Sequence, residues 1–275
     1  MDTASMPRFE AMTTGALLDR AVRLYANNFA LLLGITAVAY VPFYLVMLVF
    51  QSSISFNPHD ESAPWAAILY FIVFMVLWTS IAFPIAGGAA TYAISERYLG
   101  NHVAINAALR RGLTNFWSVS MAQITVSIRV VIGLLLLIVP GVLWLLSYSL
   151  VVPTILVEGQ KAMPSLRRSR ELMRGQRGKA FAIMIVLILL EAISGAGISS
   201  VSKVIIGTDS TSGLVLHAAI TSLMSIFLAP LGIVATILLY YDMRIRKEGF
   251  DLDMLSRAIT DHNGQSVTAA PTLSV

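Results

Sequence analysis

Residues 179–201 read KAFAIMIVLILLEAISGAGISSV, an apolar run whose middle holds one acidic residue, Glu191. A bilayer core about 30 Å thick is crossed by roughly 20 helical residues, and in lipid only helices and closed barrels satisfy the backbone. This run has the required length. We therefore expect it to form a membrane-spanning helix.

Five further runs have the length and apolar character of spans: 28–50, 64–94, 116–139, 142–157 and 214–241. The third and fourth spans in chain order are joined only by Pro140-Gly141. This junction predicts a tight reversal, because one straight helix over 116–157 would be twice the required length. The sequence thus predicts an all-α fold: a polytopic integral membrane helical bundle with about six transmembrane helices.

The composition excludes most other protein classes. Hydrophobic residues make up 57% of the chain and charged residues 12%, about half the charged fraction of an ordinary soluble domain. The absence of cysteine removes disulfides, thiolate nucleophiles and cysteine-based metal sites. No HExxH, Walker A, GxGxxG or GxSxG pattern with the right context is present. We therefore expect no catalytic residues, no metal and no cofactor, and a protein that is not an enzyme.

The connectors between the predicted spans alternate between basic connectors and connectors that are poor in basic residues. Basic residues lie in alternate connectors: Arg8, Arg20 and Arg23; Arg97, Arg110 and Arg111; the run from Lys161 to Lys179; and Arg244, Arg246, Lys247 and Arg257. The remaining connectors contain Lys203 as their single basic residue. The positive-inside rule then predicts that both termini lie on the cytoplasmic side of the cell (inner) membrane. We expect a cytoplasmic N-terminal segment (1–27) with an interfacial helix, a six-helix membrane domain (28–251) and a disordered cytoplasmic tail (252–275).

A similar unit recurs three times along the chain, a basic amphipathic segment followed by a pair of spans. Its markers are Leu18-Asp19-Arg20 before Asn28-Phe29, Leu109-Arg110-Arg111 before Asn115-Phe116, and Leu166-Arg167-Arg168 before Ala180-Phe181. We expect these basic segments to lie as interfacial helices on the cytoplasmic side. The pattern fits an internal duplication, and it equally fits three independent basic helices that lead into a membrane.

Two charged residues lie near the middle of predicted spans, Arg129 in the third and Glu191 in the fifth. At 1.5 Å per residue, both lie about 20 Å from the cytoplasmic ends of their helices. A central Arg costs about 2.5 to 3.5 kcal/mol on insertion scales, so such groups usually face the bundle interior and find a partner. We predict an intramembrane pair between them. It would act either as a structural bridge or as an ion, proton or anionic-substrate path.

The connector after the fourth span carries the densest group of basic residues. They are Lys161, Arg167, Arg168, Arg170, Arg174, Arg177 and Lys179. Near an anionic bilayer each contributes on the order of 1 kcal/mol of attraction, so this basic cluster is a candidate site for anionic lipid headgroups. The positive-inside rule alone also explains such a connector. We expect membrane lipids as partners and no nucleic acid, because lipid is the nearer polyanion.

The segment after the sixth span mixes both signs of charge. It contains Asp242, Arg244, Arg246, Lys247 and Glu248. One interpretation is a cytoplasmic flank that stops translocation and pairs its charges along the helix end. The other is a docking site for a membrane or cytoplasmic protein partner.

Two stretches resemble a known family of bacterial membrane proteins. They are SLRRSREL at 165–172 and YYDMRIRKEGFDL at 240–252, and the layout of 17–42 is similar as well. The family is the glycerophosphoryl diester phosphodiesterase membrane-domain group. The resemblance implies a helical membrane domain, which in some relatives precedes a soluble phosphodiesterase barrel. The residues after Leu252 are too few for that barrel, so we expect no phosphodiesterase activity.

These features favour a non-enzymatic membrane scaffold or accessory subunit, linked to membrane lipid or envelope metabolism through a separately encoded partner. The alternative is a small transporter that uses the intramembrane level of Arg129 and Glu191. A scaffold should tolerate neutral replacement of both charges, whereas a transporter should lose flux while it remains folded.

Overall fold

The described part of the chain is helical throughout. The computed structural model describes residues 11–53, 69, 72–74, 76, 78–206 and 211–249, and no strand occurs among them. The predicted disordered tail, 252–275, lies outside these residues. So do the first ten residues of the predicted N-terminal segment and most of the connector 51–63.

The described helices differ widely in length. They are α1 (Thr14–Asn27), α2 (Phe29–Ser53), α3 (Phe83–Tyr98), α4 (Ile105–Thr114), α5 (Phe116–Leu136), α6 (Ile138–Ser147), α7 (Val151–Glu158), α8 (Ala162–Met173), α9 (Arg177–Ile206) and α10 (Thr211–Glu248), with a π-helical turn at Trp78–Ala82 directly before α3. Helix α10 lies at the centre, because it packs against α1, α2, α3, α8 and α9. Its residues Val234, Leu238 and Tyr241 are fully buried.

Five helical segments are long and apolar enough to cross a membrane. Within the described residues they are Phe29–Val46, Phe116–Leu136, Ile138–Glu158, Arg177–Ile205 and Ala219–Glu248. They correspond to the first, third, fourth, fifth and sixth predicted spans. The second predicted span, 64–94, is described only in part, by helical residues 69, 72–74 and 76, the π-helical turn and α3. The all-helical fold with several membrane-length helices is therefore confirmed, with five such helices in the described part.

The reversal between the third and fourth predicted spans lies at Leu137, not at Pro140-Gly141 as predicted. Leu137 has an extended backbone (φ −162°, ψ 145°) between α5 and α6, and Pro140 lies in the first turn of α6. A proline is tolerated there because the first N–H groups of a helix have no helical partner. The two helices then touch at their backbones, since a Cβ on Gly133 would lie 2.7 Å from the Cα of Gly141.

The fourth predicted span is interrupted in its middle. Residues 148–150 form a turn between α6 and α7, and a turn of this kind leaves backbone groups without their helical partners. Ser169 of α8 supplies the missing partner: its Oγ donates to the carbonyl of Ser147 at 2.9 Å and accepts from the N–H of Leu150 at 3.1 Å. All three residues are buried. One face of α8, predicted to lie at the membrane surface, is therefore packed inside the bundle.

The joints between short and long helices show the predicted recurrence. Asn28 separates α1 from α2 and Asn115 separates α4 from α5, and each side-chain Nδ2 donates to the carbonyl four residues earlier, at 2.9 Å to Leu24 and 3.0 Å to Arg111. The third joint, between α8 and α9, is different. Gly175 there has a φ of +83°, a left-handed conformation that glycine adopts without strain.

Candidate functional site

A cavity of about 560 Å³ lies beside the turn at 148–150, between α3, α5, α7, α9 and α10. This volume is in the range of small-molecule sites, which are concave and mostly apolar. Val130, Ile183 and Leu187 belong to its apolar lining. Five lining residues are exposed, and three of them, Ser127 on α5 and Ile188 and Glu191 on α9, border one open side; the other two are Phe83 and Leu145.

Tyr148 lines the cavity, and its phenol oxygen accepts hydrogen bonds from two arginines. Nη1 of Arg129, from α5, donates to its phenol oxygen at 3.0 Å, and Nη2 of Arg170, from α8, donates to the same oxygen. The two guanidinium carbons lie 5.5 Å and 5.4 Å from the centroid of the tyrosine ring, within the range of cation–π attraction. Tyr148 itself is only 4% exposed, so the interrupted span brings two cations to a buried phenol.

These two arginines have no carboxylate partner among the described residues. The ion pairs of the described residues involve other basic side chains. Arg129 is half-buried and Arg170 is exposed, so solvent screens much of the repulsion between the two guanidinium groups. Neither arginine is among the residues that line the cavity, and the charged residue that does line it is Glu191.

No family model, curated protein or solved structure matches this chain. The resemblance to the glycerophosphoryl diester phosphodiesterase membrane-domain group therefore stays a prediction. A function for this chain has to be inferred from the geometry of its own residues, above all from the cavity and the charges that surround it.

The structure does not bring together Arg129 and Glu191, which were predicted to pair. Arg129 donates to Tyr148, and helix α6 packs against both α5 and α9, the two helices that carry the predicted partners. Glu191 is exposed, lines the cavity and makes no hydrogen bond or ion pair within the described part of the chain. Both residues lie well inside long helices, as their sequence spacing predicted, but position along a helix does not determine which helices are neighbours.

Only part of the basic cluster 161–179 is exposed to solvent, and the lipid-headgroup site stays a prediction. Arg170 reaches inward to Tyr148, and Lys179 donates to Asp242 at 2.6 Å with only 9% of its side chain exposed. Arg168 contacts Glu158 at 3.0 Å. By contrast, Arg167 forms an ion pair with Glu171, one turn further along α8, and the Arg167 side chain is 85% exposed. The cluster is therefore divided into partly buried residues (Arg168, Arg177 and Lys179) and exposed ones (Lys161, Arg167, Arg170 and Arg174).

Arg168 is the centre of a network at the end of α10. It contacts both Glu158 of α7 and Glu248 of α10, while Tyr240 donates to Glu158 at 2.9 Å and Arg244 donates to Glu248 at 3.0 Å. Partial burial lowers the pKa of the Arg168 guanidinium, but the two carboxylates together raise that pKa above its usual value. Arg168 therefore remains charged at any physiological pH and ties α7, α8 and α10 together.

Asp242 forms a second, fully buried cluster. Its Oδ1 accepts from the backbone N–H of Met12 at 2.7 Å, and its Oδ2 accepts from Lys179 at 2.6 Å and from Nε of Arg246 at 3.0 Å. Both cations also donate to the carbonyl of Met12, at 2.6 Å and 2.7 Å. The carboxylate thus joins the segment before α1, the start of α9 and the end of α10.

This cluster changes the interpretation of the predicted docking segment. Asp242 has no exposed surface, Arg244 and Glu248 belong to the Arg168 network, and Arg246 pairs with Asp242. Lys247 donates to two backbone carbonyls at the end of α8, at 2.6 Å and 2.8 Å. These side chains hold the bundle together, and a protein partner would have to compete with those contacts. The helix-end interpretation therefore fits the geometry better than the docking one.

A serine–histidine contact was missed by the sequence analysis. Oγ of Ser202 on α9 lies 2.6 Å from Nδ1 of His217 on α10, two residues separated by a connector, so no short motif could reveal it. The Ser202 hydroxyl also lies 3.1 Å from the carbonyl of Ser199, to which it can donate. No group of three metal-ligating side chains occurs in the part of the chain that was searched. The absence of enzymatic activity stays a prediction.

Proposed function

We propose that this chain is a multi-pass membrane protein that takes an amphiphilic molecule from the bilayer and holds it, as a non-enzymatic accessory or scaffold protein in membrane lipid or envelope metabolism. The cavity beside Tyr148 is the observation that carries this proposal. Its open side lies between α5 and α9, and both of these helices are long and apolar enough to span a membrane. A molecule could therefore enter sideways from the hydrocarbon.

The topology that goes with this function has six spans, with the π-helical turn and α3 completing the second one. Helices α1 and α4 lie along the inner surface, and both termini are cytoplasmic, as the alternating basic connectors favour. Many apolar side chains on α9 are exposed, including Ile185, Leu189 and Ile193. Such a surface is stable when lipid covers it.

The proposal is tested by filling the cavity. Gly232 lines it, and a Cβ at this position would meet no atom within 4 Å. Gly232→Leu should therefore occupy the cavity without a backbone clash and lower the amount of lipid retained by the purified protein, measured by native mass spectrometry. Gly197→Leu is the matched control, because it lies on α9 outside the cavity lining and its Cβ position is equally open. Equal lipid retention by both variants and the native chain would refute the proposal.

A small transporter is the second candidate, and the interrupted span favours it. Discontinuous membrane helices often form the binding sites of transporters, because they expose backbone groups at mid-membrane depth. The turn at 148–150 is such an interruption. Reconstitution with a fluorescent phospholipid distinguishes the two functions: a transporter accelerates movement of the lipid between leaflets, whereas a holding protein binds the lipid and leaves that rate unchanged.

A further inference from the structure

Glu191 is an acidic side chain in the middle of a helix of membrane-spanning length. It is the fifteenth of the 30 residues of α9, and it makes no hydrogen bond or ion pair within the described part of the chain. Its neighbours Ile188, Leu189 and Ile193 on the same helix are apolar and exposed. A charge at this depth is costly unless it meets a partner. A partner for Glu191 therefore has to come from outside the described residues.

The position of Glu191 places this carboxylate where a ligand would meet it. Among the described residues it is the single charged side chain that lines the cavity of about 560 Å³, and with Ser127 and Ile188 it borders one open side. It also lines a smaller recess of about 80 Å³, whose other described lining residues are apolar. The carboxylate thus lies at the entrance to an apolar cavity, next to the hydrocarbon.

We infer that the molecule held in the cavity is a cationic amphiphile, whose ammonium group binds to the carboxylate of Glu191 and whose hydrocarbon chain fills the cavity. This inference rests on the proposed function and specifies the chemistry of the ligand. The nearby arginines do not neutralise Glu191, because Arg129 and Arg170 both donate to Tyr148 and neither lines the cavity. An ammonium group supplies the missing counter-charge.

The polar residues on the opposite wall suit such a group. An ammonium has three N–H donors, and one ion pair with Glu191 leaves N–H groups that need other acceptors. Gln123 and Ser127 lie four residues apart on α5 and both line the cavity, and neither side chain makes a hydrogen bond among the described residues. Their oxygens are therefore available as neutral acceptors. The bond to the carboxylate is the stronger one, because it is charge-assisted on both sides.

The remaining lining favours a hydrocarbon chain attached to that ammonium. Val126, Val130, Ile183 and Leu187 lie on the cavity wall, and an apolar chain gains free energy when it is buried against such side chains. An anionic headgroup at the same opening would be repelled by Glu191. A neutral headgroup would leave the carboxylate without a counter-charge.

The test uses the full chain in a non-ionic detergent with three probes of equal chain length: dodecylamine, dodecanol and dodecanoate. Titration followed by native mass spectrometry gives the affinity for each probe. The native protein should bind dodecylamine at least about tenfold more tightly than the other two, since a charge-assisted bond contributes about that factor. Glu191→Gln keeps the shape of the side chain and should abolish this preference. It should still bind dodecanol as the native chain does, which shows that the cavity is intact.

Glu171→Gln is the matched control. It removes the same charge from an exposed carboxylate on α8 that does not line the cavity, so the preference for dodecylamine should be unchanged. Nanodiscs that contain phosphatidylethanolamine and phosphatidylglycerol then separate two sources of the ammonium. Enrichment of phosphatidylethanolamine that is lost in Glu191→Gln identifies a phospholipid headgroup. A preference for dodecylamine without that enrichment identifies a single-chain amine, and either result supports the inference.

Several outcomes would overturn the inference. These are equal affinities for the three probes, tighter binding of dodecanol or dodecanoate, no binding of any probe, or a preference for dodecylamine that persists in Glu191→Gln. If the native chain binds all three probes equally and Gly232→Leu binds none, the proposed function stands while the inference fails. Equal binding of all probes by the native chain and by Gly232→Leu would refute both.

Discussion

Asp242 and Lys179 form an ion pair that is buried between α9 and α10, with 2.6 Å between Lys179 Nζ and Asp242 Oδ2. The aspartate side chain has no exposed surface, and Arg246 and the backbone of Met12 occupy its remaining acceptor positions. Burial of a charge is costly unless it is paired and hydrogen-bonded. This carboxylate satisfies both conditions.

Asp242→Asn should destabilise the protein strongly. The amide keeps the shape but removes the negative charge, so Lys179 and Arg246 would remain close together without a counter-ion. Loss of one partner of a buried pair costs about 3 to 5 kcal/mol. The free energy of unfolding in detergent micelles measures the effect. Asp19→Asn is the control, because its ion pair with Arg23 is exposed and such pairs contribute at most about 1 kcal/mol. Similar losses in the two variants would contradict the prediction.

Gly133→Ala should destabilise the hairpin of α5 and α6. Its new Cβ would lie 2.7 Å from the Cα of Gly141 and 2.9 Å from the Trp144 ring, so the helices would have to separate. Overpacking of this kind costs about 1 to 3 kcal/mol. Gly195→Ala meets no atom within 4 Å and should instead be neutral or slightly stabilising, because alanine favours the helix. Thermal unfolding of both variants in one detergent is the comparison, and a Gly133→Ala melting temperature equal to that of the control would count against the close contact.

Arg129→Gln and Glu191→Gln should have additive effects on stability. The two side chains do not contact each other, and α6 packs against both of the helices that carry them. Residues without shared partners usually show coupling below about 0.5 kcal/mol in a double-mutant cycle. The cycle between Arg129→Gln and Tyr148→Phe serves as the positive control, since these residues share a 3.0 Å hydrogen bond. A coupling energy above about 1 kcal/mol for the first cycle would contradict this prediction and indicate that Arg129 and Glu191 do form the intramembrane pair.

The proposed topology predicts opposite labelling of two engineered cysteines. The natural chain contains no cysteine, so a single introduced thiol is the only target. Arg167→Cys places that thiol in a basic connector, where the side chain is 85% exposed. Asn57→Cys places it in an acidic connector that the positive-inside rule assigns to the other side. In whole cells a membrane-impermeant maleimide should label only Asn57→Cys, and both variants should be labelled after lysis. Labelling of both in whole cells would refute the topology.

The long helices could be predicted from the sequence, because an apolar run of membrane-spanning length is visible in the local sequence alone. Residues 179–201 were expected as a helix, and the structure places them inside α9. The joints at Asn28 and Asn115 also recur as the repeated markers indicated. The reversal at Leu137 was missed because a proline can begin a helix as well as end one, so Pro140 alone did not determine the side on which the helix starts.

The candidate site was less predictable because it depends on which helices are neighbours. Arg129 was singled out as a charged residue inside a predicted span, but its hydrogen-bond partner, Tyr148, was not predicted. A signal was present: Ser147, Tyr148 and Ser149 interrupt an apolar run in the middle of a predicted span. The contribution of Ser169 could not be inferred, because it depends on α8 folding back against that interruption.

The two hydrogen bonds between Ser169 and the interrupted span also bear on the order in which the helices assemble. Residues 138–158 leave the ribosome before Ser169, so the carbonyl of Ser147 and the N–H of Leu150 have no partner when this segment first reaches the translocation machinery. The segment can complete its backbone hydrogen bonds only after α8 has been synthesised and has packed beside it. A chain truncated before residue 169 would therefore lack both of these hydrogen bonds and leave the turn at 148–150 without its partner.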